Sequence, residues 1–496
     1  TLIGSLHCPF EFIQMITYLF LPISIYWVYW RFTHRRMLEL AKLVPGPPSL
    51  PMIGNALLFV TKPEVNKYGQ YIKFWIGPEL NICVKNPTDI RFLLTTNKVN
   101  QKGPLYEFLV PFIGYGILSG GAQWRSSRKI ATPTYNKKSV EVFMNVFNKE
   151  ADELVKVLRK KTPETFDVYF DVVHCTTQCV CQTLMGLSKE DSQNVKNLDE
   201  VVLQTQNMYT LIFSKMVKWW LHIPLIYWVI GCKDREKNYI KIVDKMTSDI
   251  LEKRRKAIKV NPVIDENALG IVDRFLMEGL DDAYVKMEMF SLFTTSQEAS
   301  AKITSAVLLF LAHLPEWQEI VYKEVIEIVG PNDDVTTEHM KRLENLDLVY
   351  KEVLRYMSIA AFIQRTVEEE ITINEGNITI PKGTSLIIPI HELHRDPQYW
   401  DEPLKIRPER FLPENSINRD PNAYIPFSLG AMDCLGRVYA TAIIKTLVIK
   451  IIRQVHLEAD GNIEDLELSV AISVKFSKGY NLRARPRNVD LIENIV

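Results

Sequence analysis

The sequence predicts a mainly α fold with small β-sheets, arranged as one large domain behind a single N-terminal transmembrane helix. Three observations predict it. Long stretches carry apolar residues at three-to-four spacing, strand signals are short and local, and one uncharged apolar run stands near the N-terminus. Composition agrees, because 496 residues with 47% hydrophobic, 24% charged and 10% aromatic side chains supply a large core and exclude a disordered or collagen-like chain. Lys+Arg and Asp+Glu balance at 59 each, which argues against nucleic acid as a partner, since neutralising phosphates needs a basic excess. The seven cysteines form an odd and sparse set, unlike a secreted disulfide framework, so reduced thiols in a cytosol-facing protein are expected.

The elements follow in chain order. Phe12 to Trp30 carries no charge and as a helix would be ~28 Å long, close to one hydrocarbon thickness. Arg31, Arg35, Arg36 and Lys42 follow at once, so the positive-inside rule places the rest of the chain in the cytosol. Trp27, Tyr29 and Trp30 fall where an interfacial aromatic belt would lie. Residues 1–36 are therefore expected to form the anchor. Pro45-Gly46-Pro47-Pro48-Ser49-Leu50-Pro51 excludes a helix and predicts a stiff connector, a proline-rich hinge over 37–54. No further linker or repeat follows, so 55–496 reads as one domain. Within it, 140–160, 167–185, 239–260, 285–313 and 317–329 are predicted helices, and Ile371 to Ile380 is a predicted hairpin around Asn374-Glu375-Gly376-Asn377. The apolar, aromatic segment from Met208 to Ile230 is interrupted by Lys215, Lys218, His222 and Pro224. It reads as a helix pair whose connection dips into a membrane surface, with plain core packing as an equal alternative.

The chemistry is concentrated at Phe427-Ser428-Leu429-Gly430-Ala431-Met432-Asp433-Cys434-Leu435-Gly436, directly before an apolar helical run from Val438. Glycines there let the backbone pass close to a flat ligand, and amides near a helix start can stabilise a thiolate. The stretch resembles the haem-binding loop of the cytochrome P-450 superfamily, F-x-x-G-x-R-x-C-x-G, at every position except the arginine, where Met432 stands. Glu352-Val353-Leu354-Arg355 resembles its E-x-x-R motif, and Pro408-Glu409-Arg410-Phe411 the segment whose arginine completes a buried ion network. Trp124-Arg125-Ser126-Ser127-Arg128 resembles the W-x-x-x-R motif used on a haem propionate. Further landmarks are Pro381-Lys382-Gly383-Thr384 and His394-Arg395-Asp396-Pro397. Leu412-Pro413-Glu414-Asn415-Ser416 and Cys181 to Gly186 are similar to the microsomal family-four clan, known largely for fatty-acid ω-hydroxylation. That position on a helix also turns Cys181 about 200° from Cys179, so Cys175, Cys179 and Cys181 read as buried packing rather than a zinc site.

The resemblance implies the cytochrome P-450 fold and a haem-thiolate monooxygenase. Such an enzyme inserts one oxygen atom from O2 into a lipophilic substrate, a fatty acid, hormone-like lipid or xenobiotic. Electrons would come from NADPH through NADPH-cytochrome P-450 reductase, with cytochrome b5 as a further partner. It implies noncovalent haem b with Cys434 as axial ligand, and Trp124, Arg128, Arg365, Phe427, Gly430 and Gly436 as cofactor-binding residues. A single-pass anchor in the endoplasmic reticulum membrane is implied as well, with a cytosolic catalytic domain. Departures stand on the distal helix, where Thr295-Ser296-Gln297-Glu298-Ala299-Ser300 takes the place of A-G-x-D/E-T-T/S. Glu298 keeps the acid, and Ala299 replaces the threonine that aids proton delivery. Ser300 is rotated by about 100° and is a poor substitute. Thr295 stands where many family-four members carry a glutamate that esterifies haem. Met357, Ser358 and Ala361 replace a tyrosine and two prolines, which predicts a looser loop. These departures keep open an alternative, a haem-thiolate isomerase or a non-catalytic haem-binding protein with impaired oxygen activation.

Overall fold

In the computed structural model, residues 21–22, 24–50, 54–55, 68–161, 164–261 and 264–487 are described. Apolar spacing sets the helices: α1 (Arg35–Ala41), α2 (Pro87–Thr95), α3 (Trp124–Ala131), α4 (Lys137–Arg159), α5 (Tyr169–Thr183), α6 (Leu198–Val217), α7 (Pro224–Val229), α8 (Cys232–Val260), α9 (Asp282–His313), α10 (Pro315–Val329), α11 (Glu344–Tyr356) and α12 (Arg437–Gln454). The helix starts have local causes. Asn86 accepts from the Asp89 amide, Asn136 from that of Ser139 and Asp281 from that of Tyr284, each satisfying an orphan donor of the first turn. Helix α9 is buried along most of its length, so its residues are apolar or small nearly all round and its amphipathic signal is weak. It packs against α5 and α12, and α12 in turn against α4. Edge-on contacts of Tyr135, Phe143 and Phe147 with Tyr439, centroids 5.2–6.3 Å apart, lock α4 and the start of α12 together.

Strands β1 (Tyr71–Ile76), β2 (Glu79–Val84), β3 (Gln101–Lys102), β5 (Ile363–Thr366) and β8 (Ser385–Ile388) form one sheet in the order β1-β2-β8-β5-β3, parallel only between β2 and β8. The hairpin β6 (Ile371–Ile373) and β7 (Ile378–Ile380) pairs Ile371 with Ile380, and its turn places Asn374, Glu375 and Gly376 at positive φ. A third sheet holds β12 (Asn481–Pro486) between β4 (Phe166–Asp167) and β9 (Val455–Glu458), and β10 (Leu468–Ser469) pairs with β11 (Lys475–Phe476). Two cores result, a helical one around α9 and a smaller one over the first sheet.

The N-terminal region is described in part. Residues 12–20 of the expected span lie outside the described residues, and among the described residues no helix is long and apolar enough to cross a membrane. Residues 24–33 are helical, with Ile25, Tyr26, Val28 and Tyr29 exposed. Trp30, expected in an aromatic belt, instead buries its ring edge-on against Trp75 at 5.9 Å, with Trp27 stacked on it at 5.1 Å. The proline segment is extended, as its fixed φ requires, but it lies along β1. The Lys73 amide donates to the Pro45 carbonyl at 2.8 Å, Asn55 Nδ2 to the Pro48 carbonyl at 2.8 Å, and the Trp75 amide to Asn55 Oδ1 at 2.8 Å. A side chain at Gly46 would collide with the Lys73 carbonyl, which is why a glycine sits between the prolines.

Candidate active site

The loop before α12 carries the chemistry. The Cys434 amide donates to the Phe427 carbonyl at 2.9 Å, which closes the loop, and Ser428 and Gly430 stand at φ +61° and +77°. A Cβ on Gly430 would overlap the Leu94 carbonyl at the end of α2, so packing against that helix demands the glycine. Among the described cysteines only Cys434 is exposed; Cys175, Cys179, Cys181 and Cys232 are buried and Cys83 is half-buried. Although the residue is exposed, protein atoms crowded round its sulfur displace water and push the Cys434 thiol up. The Gly436 amide, which donates to the sulfur, opposes this, as do the charges of Arg128 and Arg437, while Asp433 adds to the rise.

A cationic cluster lies nearby. Lys102 and Arg365 are directly paired residues of β3 and β5. Like charges opposite one another normally destabilise a sheet. Arg365 is 2% exposed and its Nη1 donates to the Gln364 carbonyl at 3.0 Å; among the described residues neither it nor Lys102 has a carboxylate ion-pair partner. Burial, then the charges of Arg365 and Arg128, push the Lys102 ammonium well below the ordinary lysine range. Arg128 is engaged, with Nη1 on the Asp433 carbonyl at 2.8 Å and Nη2 on Asp433 Oδ1 at 2.5 Å. A polar cavity of about 560 Å³ is lined by Lys102, Trp124 and Met432 among others. A buried arginine and a half-buried lysine, neither with a carboxylate ion-pair partner among the described residues, stand with a buried tryptophan as the donor set that two propionate carboxylates require, so the residues present fit haem. Sequence reasoning missed Lys102. A two-residue strand has no periodicity, and its pairing with Arg365 exists only in the sheet.

A second cavity of about 220 Å³ is mostly apolar. Leu105, Leu109, Ile113, Phe213, Ile359 and Phe362 line it, with Thr294, Thr295, Glu298 and Ala299 from one face of α9. It adjoins the cationic cluster through Tyr106, whose ring takes Lys102 Nζ at 4.6 Å. Ser300 is not among the lining residues; it faces the buried side of α9, where its hydroxyl has no hydrogen-bond partner among the described residues. Thr295 donates to the Ser291 carbonyl at 2.8 Å, and Ser296 meets the Tyr135 hydroxyl at 3.3 Å. Glu298 forms an ion pair with Lys302 Nζ at 2.6 Å.

Beneath these, Glu352 is fully buried. Arg355 Nε and Nη2 donate to its two oxygens at 2.8 Å each, the Arg407 amide to Oε1 at 2.8 Å, and Arg410 Nε to Oε1 at 3.3 Å. Arg355 Nη1 also ties down the His394 and Pro403 carbonyls, so one network joins α11 to the segment leading to the cysteine loop. The segment after α11 is bonded rather than loose. Ser358 Oγ meets His394 Nδ1 at 2.8 Å, and the His391 amide donates to the Ala361 carbonyl at 2.9 Å. The Ile425 amide donates to His394 Nε2 at 2.9 Å, so this ring is neutral with its proton on Nδ1, and burial lowers its pKa to about 3.

Fold and site together are those of a haem-thiolate oxygenase, and comparison with known proteins agrees. The signature of the family described as Cytochrome P450 matches residues 44–481, and the chain belongs to the cytochrome P450 family. It is 31% identical over 475 residues to cytochrome P450 4V2 of Mus musculus, covering 89% of both chains, and 29% identical to the protein of that name from Homo sapiens over 89% of each. Cytochrome P450 4g15 of Drosophila melanogaster is 24% identical over 95% of this chain and 96% of its own. The chain is a family-four cytochrome P450 monooxygenase with a cysteine-ligated haem cofactor.

Proposed function

We propose that this monooxygenase inserts one atom of molecular oxygen into a lipophilic substrate, a fatty acid, hormone-like lipid or xenobiotic. NADPH supplies the electrons through NADPH-cytochrome P450 reductase, with cytochrome b5 as a second donor. The observation that carries the reading is Cys434, the one exposed cysteine among those described, on a loop whose residue Met432 lines a cavity shared with Lys102 and Trp124. When bound, haem b supplies oxygen activation, strengthened by electron donation from a thiolate. The chain's residues do the rest. Cys434 offers its sulfur as iron ligand, and the Gly436 amide donates to that sulfur. Lys102, Arg365 and Trp124 receive the carboxylates, joined by Arg128 where it turns from Asp433, while Phe427, Gly430 and Gly436 shape the loop. Thr295 offers a hydroxyl and no carboxylate for an ester, which supports noncovalent binding. Leu105, Leu109, Phe213, Ile359 and Phe362 bind the substrate and exclude water, and Glu298 and Ala299 stand at the distal proton-handling positions, with Ser300, the third expected there, turned away from the cavity.

Residues 1–36 act as a single-pass anchor in the endoplasmic reticulum membrane, with 37–54 as a proline-rich hinge and 55–496 as a cytosolic catalytic domain. Exposed Trp219, Ile223, Leu225, Trp228 and Val229, around and along α7, support contact with lipid. A second reading, an isomerase or a non-catalytic haem protein, is favoured by Ala299 and by the pairing of Glu298 with Lys302. One experiment separates them. The reduced protein with carbon monoxide should give the thiolate-type spectrum, lost in Cys434→Ala, and products from fatty acids, terpenoids or xenobiotics should require NADPH and reductase. Product formed from an organic peroxide alone, with no NADPH consumed, refutes the proposal.

A further inference from the structure

Lysine is among the residues least often fully buried, yet Lys302 is 2% exposed in the middle of α9. Its counter-ion is one turn earlier on the same face: Nζ lies 2.6 Å from Glu298 Oε1, the favourable order for a helical pair. Ser473, between β10 and β11, completes a ring. Lys302 Nζ donates to Ser473 Oγ at 2.5 Å, and Ser473 Oγ donates to Glu298 Oε1 at 3.3 Å. The amide of the next residue, Val474, donates to the Ile359 carbonyl, so the ring is tied to the segment after α11. Glu298, Ser473 and Ile359 all line the apolar cavity.

Neighbouring hydroxyls on this wall are hydrogen-bonded as well. Thr295 spends its proton on the Ser291 carbonyl, and Tyr209 and Thr294 bond each other at 3.1 Å. Ala299 has no hydroxyl. The carboxylate at the acid position is thus bonded by an ammonium and a hydroxyl, while Thr295 and Ser473 spend their protons on the Ser291 carbonyl and on Glu298.

We propose that Lys302 is a positioning residue: it turns Glu298 from proton delivery to wall-building, so that the carboxylate fixes the Ser473 turn instead of exchanging protons with the reacting centre. This rests on the monooxygenase reading of the site. Removing Lys302 leaves a buried carboxylate without its counter-charge, and the neutral, protonated form then becomes the favoured one. A carboxylic acid free of its clamp is able to donate into the cavity.

The test compares the reconstituted holoenzyme with Lys302→Met, Glu298→Gln and the double variant. Infrared difference spectra should show a protonated-carboxyl band in Lys302→Met that is absent from the parent and from the double variant. The share of NADPH electrons released as hydrogen peroxide should fall several-fold in Lys302→Met, and Glu298→Gln should reverse that fall in the Lys302→Met background. Melting temperature should drop in each single variant and recover at least half the loss in the double. An equal effect of Glu298→Gln in both backgrounds, or additive melting losses, overturns the proposal. If no variant consumes NADPH the monooxygenase reading fails, and the infrared band with the melting cycle still decides the role of Lys302. If Lys302→Met does not fold, Lys302→Gln takes its place, with the same band expected.

Discussion

Replacing Lys102 by methionine removes one of two cations, the lysine half-buried and Arg365 buried, that face each other across β3 and β5 without a carboxylate ion-pair partner among the described residues. In the holoenzyme this cation is expected to bind a propionate, and one charge-assisted hydrogen bond contributes roughly 1.5–3 kcal/mol. At about 1.4 kcal/mol per factor of ten, haem affinity should fall roughly 10- to 100-fold. The assay is transfer of haem to an acceptor globin, followed by its absorbance. Met432 lines the same cavity, so Met432→Arg should restore retention in the Lys102→Met background. In the parent it should gain little, because the new guanidinium repels the cations already present. A transfer rate in Lys102→Met equal to that of the parent refutes the assignment of Lys102 to the cofactor.

Three further outcomes are expected. Because the folded pKa of His394 is about 3 and the unfolded value 6.5, the unfolded chain binds the extra proton between them. Stability is therefore present above pH 6.5 and lost as pH falls, by about 2 kcal/mol between pH 7 and 5. Urea melts at both values should show that slope, and His394→Gln should flatten it. Arg355→Met strips Glu352 of two hydrogen bonds in a fully buried site and should cost ~3–5 kcal/mol by the same melts; a loss below ~1 kcal/mol contradicts the network. Ala299→Thr adds a hydroxyl to the cavity face of α9 and should lower the peroxide share of NADPH turnover, which an unchanged share disproves.

Long helices were legible because a three-to-four apolar repeat survives any tertiary context, and the hairpin because alternation around Asn-Glu-Gly-Asn has one economical solution. Contacts set by sheet register were not. Lys102 and Arg365 become neighbours only when a two-residue strand finds β5, and no local pattern announces that pairing. Lys302 was silent for a related reason, since a lysine in a helix reads as solvated until the helix is known to be enclosed. Ser358 shows the limit of reading a departure from a motif as a loss. A proline's rigidity is gone there, yet the hydroxyl that replaced it bonds His394. What the stiff connector rests on was not legible, because fixed φ angles are the same whether a chain is solvated or lies along a strand.

That last segment has a mechanical consequence. A tether with free joints lets the body it holds tumble through a wide cone, whereas Pro45, Pro48 and Asn55 are stitched to β1, and Arg36 pairs with Glu370 at 2.8 Å. Trp30 adds a wedge against Trp75. Any torque applied at residue 30 is delivered to the first sheet rather than dissipated. The helix through 24–33 is thus a handle fixed to the body, its axis held at a set angle to the first sheet.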